Sequence, residues 1–175
     1  LTSPSVLDCG VGCGTTARIV KALFPDARIT GLEIFMPYIV NEEMRAHIKT
    51  EWGLSLDLYE SLYVGPIADF RTELPRFDDQ SFDFVVFGDS LEHVSVDDAR
   101  RAVAQAHRIA RHATFATIPL THVENGVRYW VPQGVFLGNP AEAHQHDWTR
   151  EEMEALGFTF EGRGEMASCF SRRRS

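Results

Sequence analysis

The residues that could do chemistry begin with an apolar run that ends in glycines, Val6-Leu7-Asp8-Cys9-Gly10-Val11-Gly12-Cys13-Gly14-Thr15-Thr16. A strand turning sharply into a helix needs glycine where backbone angles penalise a β-carbon and where a ligand approaches the main chain closely. The helix that follows presents unpaired N–H groups and the positive end of its dipole. Gly10, Gly12 and Gly14 are therefore expected to hold a nucleoside-bearing cofactor. A dinucleotide fingerprint reads G-x-G-x-x-G, but here the third glycine comes one position early and Thr15 fills the slot. That spacing disfavours an NAD-dependent oxidoreductase. Asp8, just ahead of the loop, would repel a pyrophosphate and attract an ammonium group or another cation.

Further acids and histidines follow. Glu33 falls about 20 residues after the loop, the usual distance to an acid that holds ribose hydroxyls. Ile34 and Phe35, next to it, are placed to pack either on a base or in the core. His93 closes Gly88-Asp89-Ser90-Leu91-Glu92-His93, and His144 lies in Glu142-x-His144-x-His146-Asp147-Trp148. Either histidine, neutral near its own pKa, could take a proton from a reacting hydroxyl. Two histidines and an acid can also hold a metal, but these stand side by side on an irregular segment, so no metal site is expected.

Strands and helices must place these groups. Ser5 to Cys9 predicts a strand, and Thr15 to Phe24 a helix with Ile19, Val20 and Leu23 inward. Arg28 to Glu33 predicts a second strand, Pro37 to Trp52 a helix ending at Gly53, and Leu62 to Gly65 a short third strand. Phe82 to Phe87, nearly all apolar, predicts a central strand buried on both faces. Ser95 and Asp98 open a helix with Ala99, Val103, Ala106 and Ala110 inward, before a fifth strand from Ala113 to Ile118. Pro119 to Asp147 shows no clean periodicity, and loops of that length are usually functional or disordered. Its aromatics Tyr129, Trp130 and Phe136 argue against disorder. Thr149 and Glu152 cap a last helix, and Phe158 to Glu161 with Met166 to Phe170 predicts a hairpin across Gly162-Arg163-Gly164.

The formal charge of -8 opposes binding to nucleic acid, which is driven by clustered Lys and Arg. Arg172-Arg173-Arg174 is read as a solvated tail. No apolar run has membrane-spanning length and no signal-peptide pattern opens the chain, so a cytoplasmic location away from membranes is expected. Three cysteines offer neither an even set nor metal-ligand pairs.

The order Asp8-x-Gly10-x-Gly12-x-Gly14, Glu33, Asp69 and Phe82-Asp83-x-Val85-Val86, each at a predicted strand end or opening, resembles the class I S-adenosylmethionine-dependent methyltransferases. The resemblance implies an α/β, Rossmann-like, doubly wound and mostly parallel seven-stranded sheet closed by a C-terminal antiparallel hairpin. It implies one domain over residues 1–175, with 119–147 as a lid and the family's N-terminal cap helices absent. By the same resemblance Asp69 accepts from the adenine amino group, the Phe70 N–H reaches a ring nitrogen, and Asp8 faces the methionine ammonium or the sulfonium. Gly88 belongs to the cofactor site at the end of the fourth strand. Leu91-Glu92-His93 is similar to small-molecule enzymes of the family and lacks the Pro-Pro-aromatic segment of its amino methyltransferases. The expected reaction is methyl transfer to a small-molecule acceptor, at oxygen or carbon before nitrogen. The competing reading from another class is a module that binds S-adenosylmethionine without turnover.

Overall fold

The computed structural model describes residues 1–66, 69–119, 122–124, 127–129, 139–161 and 166–172. Strands β1 (Ser5–Cys9), β2 (Arg28–Glu33), β3 (Ser61–Val64), β4 (Phe82–Gly88) and β5 (Ala110–Pro119) pair in parallel in the order β3-β2-β1-β4-β5. This is the α/β, Rossmann-like arrangement that the sequence predicts. The order reverses between β1 and β4, the switch point outside which such sheets bind ligands. β6 (His122–Glu124) and β7 (Val127–Tyr129) form a separate antiparallel pair. β9 (Met166–Arg172) runs antiparallel to β5 and pairs in turn with β8 (Thr159–Glu161). The expected hairpin turn at Gly162-Arg163-Gly164 lies outside the described residues, as do Trp130, Phe136 and much of the expected lid.

α1 (Thr15–Leu23) starts at Gly14, whose φ of 88° is left-handed. Its inner face differs from expectation. Ala17 is the buried residue, while Ile19 and Leu23 are 56% and 69% exposed. Ala17 joins Val6, Ala27 and Ile29, with Val20 and Phe24 half-buried beside them. β4 is likewise not covered on both faces: Val85 and Phe87 are buried, whereas Phe84 and Val86 are half-buried on the α1 side. An apolar trough therefore runs between α1 and β5, with Phe115 40% exposed at its edge.

The helix expected from Pro37 to Trp52 is two, α2 (Pro37–Val40) and α3 (Glu42–Trp52). Asn41 parts them by leaving the helical region, and its side chain accepts from the Met44 N–H. Asn is a favoured N-cap, and Glu42 and Glu43 complement the new helix dipole. The break buries Tyr38 completely and leaves Val40 61% exposed.

On the other face lie α4 (Phe70–Glu73), α5 (Val96–Ile109) and α6 (Arg150–Ala155). Ala99, Val103 and Ala106 are buried, as α5's spacing predicts, while Ala110, expected on that helix face, is buried as the first residue of β5. Thr149 and Glu152 form the expected capping box of α6, and Trp148 packs in the main core with Met153 and Phe158. No helix among the described residues is long and apolar enough to cross a membrane.

Candidate functional site

Gly10, Gly12 and Gly14 all take positive φ, at 95°, 51° and 88°. The N–H groups of Gly10 and Val11 both donate to the Leu32 carbonyl, at 2.9 and 3.2 Å, which ties the loop to β2. A β-carbon on Gly10 would stand 2.8 Å from Cβ of Ser90, and one on Gly88 would stand 2.6 Å from the Thr16 hydroxyl. Those two glycines let the turns after β1 and β4 close on each other. A β-carbon on Gly12 would meet nothing among the described residues within 4 Å. Gly12 thus leaves a bare stretch of main chain facing open space, as a ligand cradle requires.

Glu33 is held beside that cradle. Its Oε2 accepts from the Gly12 N–H at 2.7 Å and its Oε1 from the Phe35 N–H at 2.8 Å. Burial raises its pKa, and those two N–H groups oppose the rise. A carboxylate oxygen accepts more than one hydrogen bond, so both oxygens keep capacity for a pair of vicinal hydroxyls. Asp69 caps α4 by accepting from the Arg71 N–H at 2.9 Å. The Arg71 guanidinium also grips both its oxygens, through Nε to Oδ1 at 2.9 Å and Nη2 to Oδ2 at 2.5 Å. Phe70 packs edge-on against Phe87, with ring centroids 5.6 Å apart.

A cavity of about 880 Å³ joins these parts. Gly10, Gly12, Glu33 and Ile34 line it together with Asp69, Phe70, Gly88 and His93. That volume falls in the range of small-molecule and cofactor sites.

Three expected site residues are not on its wall. Asp8 is fully buried beneath the loop, where its Oδ2 accepts from the Tyr59 hydroxyl at 2.5 Å. Burial pushes its pKa up to about 7, while Tyr59 and Thr16 pull against the rise. Asp8 therefore braces the loop from below and does not face the cavity, contrary to expectation. Gly14 turns its α-carbon toward Ser55 and Leu56, and serves as the cap of α1. His144 packs edge-on against His93 with centroids 5.0 Å apart, and its Nδ1 is 3.7 Å from Oδ1 of Asp147.

The end of the cavity away from Glu33 is built around His93. Its Nε2 lies 3.5 Å from Oε2 of Glu142 and 4.0 Å from Oε1 of Glu92. Glu142 is fixed through Oε1, which accepts from the Tyr38 hydroxyl at 3.0 Å and from the Asn139 amide at 3.3 Å. Burial lowers the pKa of His93, and the Glu142 charge opposes that. Glu92 is 1% exposed, its Oε2 has no hydrogen-bond partner among the described residues, and burial raises its pKa to about 8. Its carbonyl accepts from the N–H groups of Gln145 and His146, which fastens the 139–147 segment to the turn at Leu91–His93.

Sequence spacing grouped Glu142, His144 and His146, but the fold sorts them differently. His146 turns to Glu152 at 3.1 Å, and His144 joins Glu92 and His93 from the turn after β4. Tyr38, Tyr59 and Glu92 join the site without any signal in the sequence. Their partners are distant in sequence, and an aromatic or an acid at helical spacing carries no mark of them. Asp89, a non-glycine at φ 48°, lines the cavity too.

The family model described as "Methyltransferase domain" matches residues 7–117, from within β1 to within β5. The chain belongs to the methyltransferase-domain family. Its resemblance to the class I S-adenosylmethionine-dependent methyltransferases is borne out by that match. No curated protein matches the chain. Among solved structures, this methyltransferase is similar in fold to the PH0226 protein of Pyrococcus horikoshii OT3, with a TM-score of 0.61 and 17% identity, covering 98% of this chain and 82% of that one. The 1,6-didemethyltoxoflavin-N1-methyltransferase of Burkholderia thailandensis, solved with 1,6-didemethyltoxoflavin and S-adenosylhomocysteine, has a TM-score of 0.58 at 18% identity, covering 99% and 72%. The magnesium protoporphyrin IX methyltransferase of Synechocystis PCC 6803, solved with bound SAM, has a TM-score of 0.59 at 13% identity, covering 98% and 71%.

Proposed function

We propose that the protein transfers the methyl group of S-adenosylmethionine to a small-molecule acceptor, at oxygen or carbon in preference to nitrogen. The observation that carries this is the single cavity running from the bare main chain at Gly12 and the anchored Glu33 to His93 at its other end. The donor-side residues suit a nucleoside: Glu33 for the ribose hydroxyls, Ile34 for a base face, and Asp69 with the Phe70 N–H for the base edge. The two neighbours solved with S-adenosylhomocysteine or SAM support the donor assignment, and the Burkholderia thailandensis enzyme was solved with 1,6-didemethyltoxoflavin as well.

When bound, the donor supplies a methyl group already activated on a sulfonium. The protein's task is then to hold the acceptor atom in line and to exclude water. His93, on the cavity wall, is placed to take a hydroxyl proton on Nε2, with Glu142 beside it to stabilise the imidazolium that forms. His144, behind His93, orients that ring by packing against it. The 119–147 segment is assigned as the acceptor-side lid of one domain. β8 and β9 are read as the hairpin that completes the family's seven-stranded sheet.

Calorimetry of the folded protein with S-adenosylhomocysteine tests the donor site. The expected result is saturable one-to-one binding. Absence of binding removes the proposal. Binding without methyl transfer to any of a broad set of phenols, hydroxy acids and enolisable ketones would favour the non-catalytic module instead.

A further inference from the structure

We propose that Glu92, His93 and His144 form a binding site for one divalent transition-metal ion, of zinc type, at the acceptor end of the cavity. Each residue offers one ligand atom, and these atoms lie within 4.8 Å of one another. A tetrahedral ion with bonds of about 2.1 Å holds its donors about 3.4 Å apart. His93 Nε2 and Glu92 Oε1 are already 4.0 Å apart, so closure on an ion needs side-chain adjustment and no change of fold. Two imidazoles and a carboxylate select zinc, cobalt or nickel over magnesium and calcium, which take oxygen ligands.

Glu92 points to an ion independently of that spacing. It is 1% exposed and its Oε2 has no partner among the described residues, although buried polar atoms are nearly always hydrogen-bonded. The carboxyl can be satisfied by a proton or by a cation.

The surroundings supply what a ligating histidine needs at His144. A metal-bound imidazole usually has its other ring nitrogen steadied by a carboxylate or carbonyl. Asp147 stands 3.7 Å from Nδ1 of His144, which leaves Nε2 for the ion. Both halves of the site are locked by the hydrogen bonds from Gln145 and His146 to the Glu92 carbonyl. Glu142, with Oε1 occupied by Tyr38 and Asn139, brings Oε2 to 3.5 Å from His93. That oxygen lies beside the three-ligand group, whose fourth position is left for an oxygen of the acceptor.

An ion there takes over the proton-removing task assigned above to His93, by making a bound hydroxyl more acidic. The O–H bond breaks, the proton passes to Glu142, and the oxygen forms its bond to the methyl carbon as the carbon–sulfur bond breaks. This step rests on the methyl-transfer reading, whereas the ion site itself stands on geometry alone.

The test is titration of chelator-treated, folded protein with cobalt(II), followed by visible absorption. A tetrahedral cobalt spectrum saturating at one ion per chain and lost on adding zinc is expected. Glu92→Gln, which keeps size and polarity, should weaken binding at least tenfold, and His93→Ala with His144→Ala should abolish it. His146→Ala, outside the site, should bind like the parent. No saturable spectrum from the folded parent, or an unchanged one from the double variant, overturns the site. S-adenosylhomocysteine binding, measured on the same samples, separates failure of the ion site from failure of the donor site.

Discussion

The hydroxyl of Tyr59 reaches under the glycine loop to donate to Asp8 across 2.5 Å, and it can do so because of what is missing at Gly31. Asp8 and Gly31 are partners in the β1–β2 register. A β-carbon at Gly31 would stand 2.9 Å from the Tyr59 ring and 2.4 Å from Val11. A gap in one strand thus lets an aromatic ring support the acid of the next.

Stability should depend on the Asp8 proton. The folded-state pKa, about 7, is raised by burial above the ordinary 3.8, so the folded protein keeps a proton that the unfolded chain releases. That contribution is complete below the lower value and is lost as pH rises through the upper one. Melting temperature should fall from pH 5 to pH 7, and Asp8→Asn should reduce the slope. The Glu92 carboxyl, raised to about 8, adds a contribution of the same sign that the variant leaves in place. Calorimetric scans showing identical slopes in both proteins would mean that Asp8 is ionised throughout.

Two glycines should fail in different ways. Gly31→Ala drives a methyl group into Val11 and Leu62, and overpacking of this kind costs about 1–3 kcal/mol, visible as a lowered melting temperature. Gly12→Ala meets open space, so its cost is about 1–2 kcal/mol of left-handed backbone strain. Its effect should show chiefly in S-adenosylhomocysteine affinity, reduced about tenfold or more, which is about 1.4 kcal/mol.

Glu33→Ala should weaken S-adenosylhomocysteine about a hundredfold, because hydrogen bonds to a charged group contribute about 1.5–3 kcal/mol each. His144→Ala should leave that affinity within about twofold, since the ring lies away from the donor end. Equal losses in a calorimetric comparison would contradict the division of the cavity into donor and acceptor ends.

Glu142→Gln removes the charge beside His93 while keeping acceptance from Tyr38 and Asn139 possible. Turnover should fall about ten- to a hundredfold, with donor affinity unchanged. Steady-state kinetics paired with calorimetry would show it, and loss of donor binding would place Glu142 on the wrong side of the cavity.

What could be read in the sequence was local. The glycine loop, Glu33 after β2, the Ser95 and Thr149 caps and the inward alanines of α5 are patterns within a few residues of each other. The failures involve distant neighbours. Asp8 was aimed at the ligand because nothing in a strand-end acid signals a tyrosine arriving from 51 residues away. Ile19 and Leu23 have good inward spacing, but close approach of α1 through Ala17 turns them outward. The histidine grouping failed for the same reason, since a turn after β4 supplies two of its members.

The reversal of the sheet between β1 and β4 separates the two kinds of contact along the chain as well as in space. Residues assigned to the donor come mostly from before Phe70, and those assigned to the acceptor mostly from after Gly88. Mutations that retune what is methylated can therefore accumulate in the second half while the first stays constant, so related chains could diverge in product long before they lose their shared reagent.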